Sequence, residues 1–258
     1  SGEIILSSAV RSIDGVFEIP LKSFAVECMG KSVQYDNSAT GGGFIIIADT
    51  EAQLPSKPDL QKLNDFMLYL GELINRATAL SPFLMGIVVS VLVGCALTLP
   101  ISSVALCVML GIDGLAAGAA TVGCCAQMVG FAVISYKDNG IGGLLSQGLG
   151  TSMLQIGNIV RKPIIWLAPT LTAAILGPVS TVWLEMTNNA LGAGMGTSGL
   201  VGPIATYADM TAAGADPTIL GLKIVLLHFV APAILSLALH YGMVKLGWVK
   251  SGDMKIGK

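Results

Sequence analysis

Formal charge is almost absent from this chain after residue 76. Charge-free runs cover 77–112, 114–136, 139–160, 163–184, 186–208 and 224–244. A helix rises about 1.5 Å per residue, so about 20 apolar residues cross a hydrocarbon layer ~30 Å thick. Helices of soluble proteins keep a charged outer face, and runs this long leave none. Composition points the same way. Hydrophobic residues make up 53% and charged residues 12%, with 32 glycines in 258 residues. Small residues let helix backbones approach closely inside a membrane, where contact rather than water exclusion drives association.

The apolar runs predict spans at 82–99, 114–135, 163–183 and 218–244. Pro100 stops or kinks the first, and a shorter apolar piece, 101–111, follows it. Asp113 is placed to cap the second, and Pro163 suits the first turn of the third. Pro169, Pro178 and Pro232 lie within spans, where proline frees carbonyls that neighbouring helices or a solute must satisfy. Broken helices of this kind are frequent in transporters.

Basic residues near span ends set orientation. Arg76 precedes the first span, Lys137 follows the second, and Arg161 and Lys162 precede the third. Lys245, Lys250, Lys255 and Lys258 follow the fourth. With 101–111 not crossing by itself, all these clusters are expected on one, cytoplasmic, side, and Lys223 is the misfit. The stretch 186–217 has no Lys or Arg, so it is expected to face outward or to dip inward from outside.

Residues 1–58 mix short apolar runs (3-EIIL-6, 16-VFEIPL-21, 44-FIIIAD-49) with charges, and none is long enough to span. They read as a polar segment containing strands. The opening Ser-Gly-Glu, without Met or a signal-peptide pattern, reads as a fragment or a processed form. Over 59–80, Leu60, Leu63, Met67, Leu70 and Ile74 recur at helical spacing, an amphipathic helix leading into a membrane domain at 81–247. Residues 248–258 are then a cytoplasmic tail. The expected fold is an all-α polytopic membrane protein with broken or re-entrant helices behind that N-terminal segment.

Several functions are disfavoured. A net charge of −2 and no basic cluster longer than Arg161-Lys162 argue against nucleic acid. Cys28, Cys95, Cys107, Cys124 and Cys125 form no C-x-x-C pair, so they read as small buried hydrophobes, with no metal or cofactor expected. No nucleophile–base constellation or H-E-x-x-H supports an enzyme.

Four features carry candidate chemistry. Gln147, Thr151, Gln155 and Asn158 recur at i, i+4, i+8 and i+11, an uncharged polar stripe suited either to helix–helix bonding or to lining a solute path. Glu185 is the sole acid between 139 and 208, an ionisable residue either at membrane depth, where it is functional by default, or at the outer interface. Asn188 and Asn189 follow it as turn formers or hydrogen-bond partners. His228 lies inside the last span, either packed or acting as a ligand or proton relay. The stretch 188-NNALGAGMGTSGLVGPI-204 spells G-x-G-x-x-G at Gly194, Gly196 and Gly199. A dinucleotide loop needs a preceding strand and a later acid, whereas a proline-broken span precedes this one. Glycine here instead admits backbone into a membrane protein, which is tolerated only where protein or a water-filled cavity surrounds it. A re-entrant filter with Thr197 and Ser198, or an ordinary outer turn, fits.

The set 100-PISSVAL-106, 111-GIDGLAAGAATVG-123, 161-RKPIIWLAPTLTAAILGP-178 and 192-GAGMGTSGLVGPIATY-207 resembles EIIC-like membrane proteins of the phosphotransferase system. These include the toxin-regulator proteins named after the perfringolysin O regulator. The resemblance spans about residues 65–245. It implies a dimeric bacterial plasma-membrane protein in which a sugar binds beside re-entrant hairpins and is phosphorylated by a partner subunit. Carried onto this chain, it supports 192–203 and, more loosely, Glu185. A phosphorylating cysteine or histidine domain is not visible. The expected function is therefore a transporter subunit for a small neutral polar solute such as a sugar or polyol. Its expected partners are the lipid bilayer, the solute, a second copy, and a cytoplasmic signalling or phosphotransfer protein. The alternative is a membrane-embedded ligand sensor that does not transport.

Overall fold

The computed structural model describes residues 11–13, 16–18, 23–28, 31–36, 46–47 and 57–256; the apolar run 3-EIIL-6 and the tail end 257–258 lie outside them. The chain divides into two units, Ser1–Leu68 and Tyr69–Lys258. In the first, β1 (Arg11–Ile13) pairs antiparallel with β2 (Val16–Glu18). A second antiparallel sheet joins β3 (Ser23–Cys28), β4 (Lys31–Asp36) and β5 (Ile46–Ile47) in that order. Helix α1 (Lys57–Leu80) covers the stretch whose apolar spacing predicts an amphipathic helix.

The second unit is helical. Its elements are α2 (Pro82–Thr98), α3 (Ser103–Leu110), α4 (Gly114–Ile134), α5 (Tyr136–Leu145), α6 (Ile156–Arg161) and α7 (Leu167–Pro178). They continue with α8 (Ala190–Ala193), α9 (Val201–Ala212), α10 (Pro217–Val225) and α11 (Ala231–Lys245). Among the described residues three helices are long and apolar enough to cross a membrane: Gly114–Ile134, Pro163–Trp183 and Pro217–Lys245. The last two contain α7, and α10 with α11. Both include a π-helical turn, Val179–Trp183 and Leu226–Val230, next to Pro178 and Pro232 respectively. Proline's missing N–H loosens the ladder there, and the wider turn absorbs the register change.

The hub is α4. Its most apolar stretch is 94% buried inside the protein, so other helices, not lipid, cover it. Small residues make this possible. A Cβ on Gly123 would collide with the backbone of Ser90 in α2, and one on Gly177 would meet the Gly86 carbonyl. Ser90 closes the three-helix contact by donating to the Ala173 carbonyl in α7 at 2.9 Å. Apolar clusters flank it, with Phe131, Ile165, Met243 and Met254 on one side and Val122, Leu176, Met186 and Leu227 on the other.

Contact order along these helices sets their direction. Gly94 meets Gly123, and Thr98 donates to Gln127 Oε1 at 3.3 Å, so α2 runs parallel to α4. It reaches only the depth of Gln127. Leu99 is extended, Ser102 caps α3 by accepting from the Ala105 N–H at 3.2 Å, and α3 brings the chain back to left-handed Gly111. The stretch predicted as a first complete span is thus one arm of a hairpin that enters and returns at the Gly114 end of α4. This corrects the expected orientation of Arg76. Its neighbour Asn75 donates to the Gly111 carbonyl at 2.9 Å and accepts from the Asp113 N–H at 3.2 Å, so Arg76 sits at the opposite end from Lys137, Arg161 and Lys162. There it pairs with Glu72 at 2.5 Å. Asp113 occupies the N-cap position of α4, but its side chain makes no capping bond.

Gly123→Leu is expected to lower the unfolding midpoint in detergent by more than about 5 °C, because overpacking here meets backbone that cannot rotate away. Gly157→Ala, where a Cβ meets nothing within 4 Å, is expected to leave it unchanged; thermal unfolding of the two purified variants checks the pair.

Candidate solute site

After Trp183 the chain leaves its helix through Glu185, whose φ of 48° is left-handed. A non-glycine residue there carries strain of roughly 1–3 kcal/mol that surrounding contacts must hold. Those contacts follow at once. The Asn188 N–H bridges to the Gly114 carbonyl at 3.2 Å. Its Nδ2 donates to Thr121 Oγ1 at 2.8 Å and to the Gly202 carbonyl at 3.3 Å, and its Oδ1 accepts from the Asn189 N–H. Asn189 caps α8 by accepting from the Gly192 N–H at 3.0 Å. Both asparagines are therefore structural ties of the loop, with their amides engaged inside the protein.

The loop then descends along α4. Ser103 Oγ donates to the Gly194 carbonyl at 2.7 Å, and a Cβ on Gly194 would overlap the Ser103 backbone. Gly196, left-handed at φ 53°, presses against Cys124 and Cys125. From Gly114 to Cys124 is ten residues of helix, about 15 Å, or half the hydrocarbon thickness. The loop is re-entrant, and its glycines serve close approach rather than a phosphate.

A second non-helical segment comes from the other end. After α5, a π-helical turn at Ser146–Gly150 leads to extended Thr151, then a tight turn at Ser152–Gln155 and α6. The predicted stripe is thus not one helical face, since Gly148 and Gly150 loosen the helix before Thr151 breaks it. The two segments meet between the ends of α4, beside Met128: Thr197 Oγ1, buried, donates to the Gly148 carbonyl at 2.6 Å. Beside this contact Thr98 and Ser152 hydroxyls lie 2.9 Å apart. Gln127 Oε1 accepts from Trp166 Nε1 at 3.0 Å, and Gln127 Nε2 donates to Thr170 Oγ1 at 3.2 Å. This Gln127 cluster has no counterpart in the expected site. Its signal was available, because Gln127 is the sole amide side chain in the charge-free run 114–136.

The amides of the stripe still converge despite the break. Gln147 Nε2 donates to Ser135 Oγ at 2.8 Å, Gln155 Nε2 to Gln147 Oε1 at 2.9 Å, and Asn158 Nδ2 to Gln155 Oε1 at 2.8 Å. Thr151 stands apart, accepting from the Met153 N–H. Ser198 is half-buried at the loop's far side. Glu185 is exposed at the Gly114 end, and among the described residues none makes a hydrogen bond or ion pair to its carboxylate. Next to it, Lys223 Nζ reaches the Leu184 carbonyl at 3.5 Å. That reach brings the charge of the misfit lysine to a helix end, as long basic side chains do in membranes.

His228 lies in the π-helical turn Leu226–Val230 and is 1% exposed. Among the described residues neither ring nitrogen has a hydrogen-bond partner, and the buried hydroxyls of Ser180 and Thr206 also lack one. Unpaired polar atoms in a low-dielectric interior are costly. A separate groove of about 390 Å³, lined by Leu176, Val179, Leu226 and Val230 among others, is entirely apolar and offers a polar solute nothing. Among the described residues no group of three or more His, Cys, Asp or Glu could hold a metal ion.

The family model described as phosphotransferase system, EIIC, matches residues 17–256, reaching well upstream of the motif resemblance. No curated protein and no solved structure matches the chain. With a match over nearly the whole chain, membrane-length helices and re-entrant backbone at mid-depth, the chain belongs to the phosphotransferase-system EIIC family, whose domains are membrane sugar-transport components.

Proposed function

We propose that this chain is a permease subunit for a small neutral polar solute, a sugar or polyol, that carries no phosphotransfer domain of its own. One observation carries the reading. Non-helical backbone enters from both ends of α4 and meets at the Thr197–Gly148 hydrogen bond. Two opposed re-entrant segments place exchangeable polar contacts at the depth where transporters bind their cargo. The solute path runs past Glu185 at one end, the 192–203 loop with Gly194, Gly196, Thr197 and Ser198 in the middle, and the amides of Gln147, Gln155 and Asn158, with Thr151, towards the other. Asn188 and Asn189 act by holding that loop. The unpaired ring nitrogens of His228 supply hydrogen-bonding capacity to hydroxyls. Among the described residues the middle of this path carries no charged side chain, which favours a neutral cargo.

Lys137, Arg161, Lys162 and Lys250 gather at the Ile134 end of α4, which by the excess of basic residues is cytoplasmic. The C-terminal tail and a phosphotransfer or signalling partner belong to that side, and the subunit works as a homodimer. The competing reading is a ligand sensor that binds without transport, favoured by the way the tail packs on the amides of the stripe.

A thermal-shift screen in detergent over sugars, polyols and organic acids is expected to give stabilisation by a sugar or polyol alone. At a hundredfold excess over Kd, binding to the folded state contributes ~2.7 kcal/mol. Glu185→Gln is expected to weaken that ligand about tenfold, the loss of one charge-assisted hydrogen bond. A folded Gly196→Leu variant is expected to lose binding, and unchanged affinity in both variants removes these residues from the path. Proteoliposome uptake of the same ligand then separates the two functions: accumulation in the lumen is expected, and a ligand that binds without crossing establishes the sensor instead.

A further inference from the structure

The amide cluster at the Ile134 end is not open. It is covered by the segment that follows α11. There the Gly252 and Met254 N–H groups donate to the two oxygens of Asp138 at 2.8 and 3.2 Å. Asn139 receives the Ile256 N–H at 2.8 Å and donates to the Met254 carbonyl at 2.8 Å. The same carbonyl accepts from Gln155 Nε2 at 3.0 Å, and Asn158 Nδ2 donates to the Lys255 carbonyl at 3.2 Å. Lys162 pairs with Asp253 at 2.5 Å. Two of the stripe residues expected to line a solute path thus hold the protein's own backbone.

The mode of contact resembles peptide recognition. Side chains of the membrane domain read the main chain of an irregular segment, while Val249 and Met254, each 2% exposed, are its apolar anchors. The remaining side chains of 248–256 are exposed or half-buried. A segment held by main-chain hydrogen bonds and two anchors, without regular structure of its own, belongs to the low-stability end of a fold, where local opening precedes global unfolding. Beneath it the amides of Gln147, Gln155 and Asn158 pair with one another in sequence. Lifting the segment uncovers the Gln155 and Asn158 donors and the Asp138 carboxylate without dismantling that relay.

We propose that residues 249–256 are a releasable strap docked on Asp138, Asn139, Gln155 and Asn158, and that the amide cluster is exposed to water and solute when the strap lifts. The proposal rests on the solute-path reading only for its transport consequence. Docking and exposure are measured without any solute, so a failed uptake assay and a failed strap are distinguishable.

The test uses the full chain in detergent with Cys28→Ser, Cys95→Ser and a reporter, Asn158→Cys, at the strap-covered end of the amide relay. The probe is a water-soluble methanethiosulfonate. With the strap intact, labelling is expected to be slow. Gly252→Pro removes the N–H donated to Asp138 and is incompatible with the left-handed φ of 87° at this position; Met254→Glu expels an anchor. Each is expected to speed labelling of the reporter at least about tenfold while buried Cys124 and Cys125 remain unlabelled. Unchanged labelling in both overturns the proposal, as does release that labels Cys124 and Cys125 equally. Hydrogen exchange on the unmodified chain needs no variant to fold: slow exchange at the Gly252, Met254 and Ile256 amides is expected. Exchange there at the rate of fully exposed amides overturns the docking.

Discussion

Everything in the membrane unit depends on how closely α2 and α7 approach α4. In hydrocarbon every backbone N–H and C=O must find a partner within the protein, so non-helical chain is tolerated only inside a protein wall. The contact of Gly123 with Ser90, and of Gly177 with Gly86, packs three helices tightly enough to make that wall. On it lie the turn at Leu99–Ser102, the loop from Glu185 to Leu200 and the segment around Gly148. Each finds its hydrogen bonds on α4 or on its neighbours. Ser90, Asn188 and Thr197 are the side chains that turn close approach into satisfied backbone.

That arrangement joins two half-depth structures. The glycine loop descends from the Gly114 end, the broken helix 136–161 rises from the Ile134 end, and Thr197 touches Gly148 where they meet. Bonds between polar side chains and carbonyls in a membrane are worth about 0.6 kcal/mol on average. Such a meeting point is thus weak enough to open. The two ends also differ in charge. Glu185, Asp209 and Asp216 lie with the glycine loop, near Lys223, whereas Lys137, Arg161, Lys162 and Lys250 lie with the strap, near Asp138 and Asp253.

Much of the architecture was legible. Charge-free runs located the helices, the prolines at 178 and 232 marked spans with loosened backbone, and the lack of a preceding strand argued against the phosphate reading of G-x-G-x-x-G. The site was legible only in part. Spacing put Gln147, Gln155 and Asn158 on one stripe, and they do converge. No spacing rule reveals that the Met254 and Lys255 carbonyls occupy two of them, because those contacts link residues about 100 apart in sequence. Gln127 stands out in the sequence as the sole amide of its span, but its role comes from Trp166, Thr170 and Thr98 around it, which no spacing reveals.

Hydropathy and glycine content alone determined that this chain is a membrane protein of closely packed helices with irregular backbone among them, since both properties are set residue by residue. Tertiary structure decided direction and depth. The largely apolar α2, 17 residues long, is nearly long enough to cross, and its sequence does not say that Leu99 turns back at the level of Gln127. That outcome depends on the parallel seating of α2 against Gly123, which moves Arg76 to the end opposite Lys137, Arg161 and Lys162. Depth likewise separates Thr197, buried against Gly148, from Ser198 beside it. Adjacent hydroxyl residues differ in burial because only packing fixes which of them faces the protein interior.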